Sequence, residues 1–158
     1  PVAGLIAVST ATQSHMFVDL PAGWNLVSVP IEVSDRTLNN IFPDAVSAFG
    51  FGGGYQFASE LNSCEGYWVN LATGGTYTIA GAPLSSCVRS LPAGWSLTGT
   101  PSASSAVAQA GQNPAGVLLS TFGFSAGYAP ATVVDPGVGY WVNLATAGTL
   151  TFGAEPSP

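Results

Sequence analysis

The chain has 158 residues, enough for one domain or two small ones, and only 6% of them are charged, about a quarter of the ordinary share. With no lysine, Arg36 and Arg89 as the only strong cations and a formal charge of −6, it cannot neutralise a row of phosphates or hold to an anionic bilayer, so neither nucleic acid nor an acidic membrane surface is expected as a partner. Apolar residues make up 47% and aromatic ones 11%, so the sparse charge goes with a packed core and not with disorder.

No apolar run reaches the roughly 18–20 residues of a membrane helix, and no membrane insertion is expected. The N-terminal "PVAGLIAVSTATQSH" lacks a basic n-region. It reads as a trimmed chain or as a mature chain whose leader has been removed, and the second fits the extracellular character of the rest. Within it Val2, Ile6 and Val8 fall on or near one alternating face, with Ala3, Leu5 and Ala7 on the other. A strand apolar on both faces must be covered on both sides. Residues 1–19 are therefore expected as an N-terminal strand segment, with Val2, Leu5, Ile6 and Val8 forming an assembly strand. It either folds into its own sheet or, as a donor strand, adds to a neighbouring subunit's open edge.

The elements that follow are short and mostly extended. "PAG" before Trp24 is turn chemistry, and "NLVSVP" alternates after it. "SDRTLNNIFP" places Leu38, Ile41 and Phe42 at helical spacing, with Ser34 or Asp35 as cap and Pro43 as stop. "AVSAFGF", "GYWVNLA" and "GTYTIAG" are β-branched or aromatic runs bounded by Gly, Pro, Asn or Ser. "FGFGGGY" at 49–55 lacks the Lys-Ser/Thr of a phosphate loop and reads as a hairpin turn; "ATGG" at 72–75 reads as another.

The whole series then repeats. "LPAGWNL" at 20–26 returns as "LPAGWSL" at 91–97, 71 residues on, and "FGF" at 49–51 as "FGF" at 122–124, now 73 residues on. Tyr55 matches Tyr128, and "GYWVNLAT" at 66–73 recurs unchanged at 139–146. "ASSAVAQAGQ" is a weaker counterpart of the helical segment, ended by Gly111, and "ATAG" at 145–148 is the counterpart turn. The chain divides into repeat 1 (20–81), a linker (82–90), repeat 2 (91–153) and a tail (154–158). The expected fold is all-β: two homologous β-rich lobes, sandwich- or barrel-like, each with one short helix, plus the extra N-terminal strand. In "GYWV" the Tyr and the Trp fall on opposite faces of a central strand.

The order GWNLVSVP, short helix, aromatic strand, GYWVNL and Thr-rich strand resembles a module of secreted and cell-surface bacterial proteins that reads roughly GWNLISLPV … GxGYWV … TxTVxG. The resemblance covers residues 20–153. The second copy departs from it at "SLTGTP", where an apolar strand is the pattern. It implies an extracellular location and a structural or binding role, with no catalytic residues carried over.

Ionisable groups give a second line of reasoning. The copies share glycines and aromatics but no charge: Glu60 corresponds to Val133, Glu65 to Val138, and Asp135 to Asn62. A reaction centre used twice would keep its ionisable groups. His15 has no GxSxG serine to serve. Glu60 and Glu65 flank a turn and read as solvated loop charges rather than a glycosidase pair. The carboxylates around Asp35 and Asp44 are too few and too scattered for calcium. No catalytic, cofactor-binding or metal-binding residue is assigned. Cys64 and Cys87, the only cysteines, lie in no CxxC motif. A disulfide closing about 23 residues is expected, two buried free thiols being the alternative.

The function expected is that of a non-enzymatic extracellular structural module, a self-assembling subunit of a cell-surface filament or layer whose partner is itself. The alternative is a carbohydrate-binding or adhesive module with a polysaccharide as partner. Four tryptophans in duplicated pairs would give it two sugar sites, but "GYWV" amid apolar neighbours reads as core. Tyr55, Phe57 and Tyr128, in or beside Gly-rich turns, are the aromatics expected to be exposed for stacking on sugar rings.

Overall fold

The structure is a computed structural model that describes residues 14–153. The expected assembly strand, with Val2, Leu5, Ile6 and Val8, and the tail 154–158 lie outside the described residues. The first repeat forms β1 (Ser14–Ser28), β2 (Ile31–Glu32), a one-turn helix α1 (Leu38–Ile41), β3 (Ala45–Phe51), β4 (Tyr55–Phe57) and β5 (Gly66–Pro83). The second forms β6 (Ser86–Leu91), β7 (Gly94–Thr98), β8 (Ser105–Ala106), a 3-10 turn at Val107–Gln109, β9 (Gly111–Asn113), β10 (Leu118–Phe124), β11 (Tyr128–Pro130), β12 (Val133–Val134), β13 (Tyr140–Leu144) and β14 (Gly148–Gly153). The fold is all-β and sandwich-like, without a closed barrel among the described residues.

The helical segments are smaller than the spacing predicts. In α1 the two buried side chains are Leu38 and Ile41, as expected, but Asp35 bonds the Thr37 N–H and hydroxyl outside the helix instead of capping a longer one. The second repeat has only its 3-10 turn, with Val107 and Ala110 packed, partly buried, against the core.

Two long strands set the first lobe. β1 and β5 pair antiparallel from Ser14↔Gly81 to Ser28↔Gly66. The register slips between Pro21 and Gly23, where both strands turn a corner. Gly74 stands there with φ +72°, and a Cβ on it would lie 2.6 Å from the Leu20 carbonyl oxygen, so only glycine fits. β3 pairs β5 on its other side and β4 pairs β3, giving the order β1-β5-β3-β4.

The second lobe repeats this with the corner broken open. One sheet runs β11-β10-β13-β7, a second runs β6-β14-β9, and β12 pairs with β8. The turns expected at 72–75 and 145–148 are therefore not hairpins. The strand segments on their two sides do not pair with each other; in the second lobe β13 and β14 belong to different sheets. They are corners at which the chain passes from one layer of a sandwich to the next. Residues 86–90, read as linker, begin the second lobe as β6, paired from Ser86↔Gly153 to Leu91↔Gly148.

The registers of the copies agree pair for pair. Trp24↔Asn70 returns as Trp95↔Asn143, Phe49↔Trp68 as Phe122↔Trp141, and Phe51↔Tyr55 as Phe124↔Tyr128. Even the bulge between Ala45 and Ser47 recurs between Leu118 and Ser120. Each lobe has its own core. The first holds Val27, Val29, Ile31, Phe42, Leu61, Val69, Leu71 and Ile79. The second holds Leu91, Val134, Val142, Leu144, Leu150 and Phe152.

Candidate functional site: paired aromatic clefts between the lobes

Alternation along the central strands sends Tyr67, Val69 and Leu71 inward, and Tyr140, Val142 and Leu144 likewise. Burial raises the phenols of Tyr67 and Tyr140, whose oxygens accept the backbone N–H of Asn62 and of Asp135 at 3.0 and 2.8 Å. The intervening residues Trp68 and Asn70, and Trp141 and Asn143, must then point outward. Cα partners share a face, so Trp24 and Ser47 flank Asn70, and Phe49 lies beside Trp68. The tryptophans are thus not core. Trp24 and Trp95 are 49% and 45% exposed and Trp68 and Trp141 half-buried. Their sheet face turns away from its own lobe's core, and the opposite lobe covers it only in part.

Of the aromatics expected to be exposed, Tyr55 and Tyr128 are, and each lines a cleft. Phe57 is also exposed, on β4 beside Phe49 (centroids 6.0 Å apart), but lines neither cleft. The first cleft, about 510 Å³, is walled by Trp24, Phe49, Tyr55, Trp68 and Phe124. The second, about 480 Å³, is walled by Trp95, Phe122, Tyr128, Trp141 and Phe51. These are the same residues with the lobes exchanged: each cleft takes four walls from one lobe and the second Phe of "FGF" from the other. Phe51 meets Trp141 at 5.0 Å and 73°, and Phe124 meets Trp68 at 5.0 Å and 73°.

The central backbone contacts between lobes are reciprocal. Val27 bridges Val138 and, in mirror order, Thr98 bridges Glu65. The Ser28 N–H donates to the Gly137 carbonyl and the Gly99 N–H to the Cys64 carbonyl, both over 3.0 Å. This is the pattern of a two-fold, self-complementary interface contained in one chain. It explains the glycine of each "GYWV". A Cβ on Gly66 would lie 2.9 Å from the Thr98 oxygen, and one on Gly139 2.7 Å from the Val27 oxygen.

The side chains around this centre break the symmetry, most plainly at the crosslink. Cys64 and Cys87 form a disulfide (Cα–Cα 5.4 Å) that ties the loop before β5 to β6, and Arg89 donates to the carbonyls of Cys64 and Leu97 beside it. On the other side of the two-fold, Gly137 faces Val18 without a crosslink.

The other candidates do not converge. His15 is exposed on β1, paired through its backbone with Ala80. Glu60 pairs with Arg36 at 3.7 Å on the surface, and Asn62 donates to Glu65 at 3.3 Å. Among the described residues no group of three or more His, Cys, Asp or Glu converges. Sequence reasoning missed the outward pairing of Trp68 with Asn70 and of Trp141 with Asn143, which the alternation of "YWVN" already contained. It also missed the exchange of Phe51 and Phe124, which no local signal carries. Comparison with family models, curated proteins and solved structures gives no match.

Proposed function

We propose that the chain is a non-enzymatic extracellular module that holds a neutral polysaccharide in its paired aromatic clefts. One observation supports this above others: the outward residues that wall the clefts, with the Ser and Asn beside them, are the same in both lobes. Trp24, Ser47, Phe49, Phe51, Tyr55, Trp68 and Asn70 correspond to Trp95, Ser120, Phe122, Phe124, Tyr128, Trp141 and Asn143. Inward positions are mixed: Tyr67, Val69 and Leu71 return as Tyr140, Val142 and Leu144, while Val29 stands against Thr100, Ala48 against Thr121 and Tyr77 against Leu150.

The walls are aromatic and carry no carboxylate or cation, which suits an uncharged ligand. Aromatic faces accept the C–H face of a pyranose ring, and the Asn70 and Asn143 amides, which make no side-chain hydrogen bond among the described residues, offer donors and an acceptor to hydroxyls. The disulfide and the resemblance both favour an extracellular location. Retention on insoluble cellulose, chitin or xylan, lost in a Trp24→Ala/Trp95→Ala double variant that keeps its circular dichroism, is the expected result. No retention of the native protein on any of these polymers overturns the reading.

A second reading, the self-assembling subunit of a filament or layer, has its own support. Among the described residues, 14–20 of β1, and β6, are each paired along one edge only, and they carry Phe17 (71% exposed) and Val88 (61%) at equivalent positions. An open strand edge with exposed apolar side chains is a template for another copy. Light scattering of the full chain over a concentration series tests it. Growth of particle size that Phe17→Lys/Val88→Lys abolishes is expected, and a monomer at every concentration overturns it.

A further inference from the structure

Resting on the polysaccharide reading, we infer that the two clefts are separate and equivalent binding sites, so that one molecule holds two glycan segments at once and bridges chains. The equivalence follows from the exchange of walls: residue for residue the clefts are the same, down to the ring each borrows from the opposite lobe.

The separation follows from what stands between them. Tyr55 lines the first cleft and Phe51 the second, and the two rings meet edge to face at 5.4 Å. At the symmetric place Phe124 lines the first and Tyr128 the second, meeting at 5.1 Å. Each boundary is a pair of packed rings with one ring facing each way. A pyranose chain in one cleft therefore does not run on into the other. Both clefts open to solvent, with Trp24 and Trp95 at their outer rims, so two segments can enter independently. Two linked sites on a polymer that offers many binding places act by avidity and tie chains together.

Cellohexaose and chitohexaose, titrated calorimetrically into the full chain, test this. The expected result is two equivalent sites per chain. Trp24→Ala and Trp95→Ala should each lower the count to one without changing the affinity of the remaining site, and the double variant should not bind. Native protein should clump cellulose or chitin microcrystals, and either single variant should bind them without clumping. Trp24 and Trp95 are half exposed, so their removal opens no core. One site in the native protein, weakened tenfold or more by each single variant, is a composite site; it overturns the inference and leaves the polysaccharide reading standing. No heat with either hexamer, together with no retention on polymer, overturns the reading and the inference with it.

Discussion

Tyr77 donates its hydroxyl hydrogen to Asp44 over 2.6 Å, and the second lobe holds Leu150 and Val117, both buried, at the same two places. Asp44 also accepts from the Thr73 N–H and hydroxyl (2.9 Å each) and from the Gly74 N–H (3.1 Å). One carboxylate thus closes the corner of the first lobe, where an apolar pair closes that of the second. A polar pair exchanged together for an apolar pair is what a coupled contact requires, since either partner alone would be left unsatisfied.

Acid should therefore act first on the first lobe. The Tyr77 hydroxyl, then the Thr73 N–H, holds the Asp44 carboxyl well below the usual carboxylate range, and burial followed by Asp44 itself pushes the Tyr77 phenol up to about 12. A depressed carboxyl contributes stability that is fully present above its unfolded value of about 3.9 and is lost as pH falls below it. The melting midpoint is expected to drop below about pH 4. Asp44→Asn should melt lower at neutral pH and show a shallower acid limb. Melts followed by circular dichroism between pH 2 and 7 give both slopes; parallel acid limbs would count against Asp44.

Gly66→Ala and Gly139→Ala should each force the lobes apart. The added methyl meets backbone of the opposite lobe, which cannot rotate away as a side chain can. A cost of about 1–3 kcal/mol each is expected, the usual range for overpacking. Urea unfolding measures it, and equal losses in the two variants are the mark of the two-fold relation.

Thr121→Val should stabilise the protein. The Thr121 hydroxyl is buried without a hydrogen-bond partner at the position where the first lobe carries Ala48. Exchanging the hydroxyl for a methyl of similar size removes an unpaid desolvation of about 1–3 kcal/mol. A higher denaturant midpoint at an unchanged m-value is the expected signature.

Cys64→Ser/Cys87→Ser should lower stability by about 3 kcal/mol in the chain-entropy model. The crosslink spans 23 residues and the junction of the lobes. Melting of native and reduced protein side by side checks it, and the double-serine variant should match the reduced form.

Much of this fold was legible because it rests on local pattern. Period-two alternation put Tyr67 and Trp68 on opposite faces, and the repeated "FGF" fixed equivalent hairpins. Other parts depend on distant residues. "ATGG" has hairpin chemistry, yet it forms a corner because β1 stays paired with β5 through the slip at Pro21. Trp68 and Trp141 sit among Val and Tyr as core residues do, and only the position of the other lobe shows that their side of the sheet stays partly open. The duplicated tryptophans are plain in the sequence, where they read as core, but the walls borrowed through Phe51 and Phe124 exist only once the lobes face each other.

A contact made reciprocally by two halves of one chain is also a contact that two separate copies of a half would make. Between free copies it would form and dissolve with concentration, at the cost of their independent motion. Covalent joining makes the encounter intramolecular, with an effective concentration in the millimolar range for a short connection. The shared walls at Phe51 and Phe124 consequently stay assembled however far the protein is diluted. Fusion also frees the two sides of the interface to differ. A crosslink on one side of the axis, absent from the other, is something that a dimer of identical chains could never keep to itself.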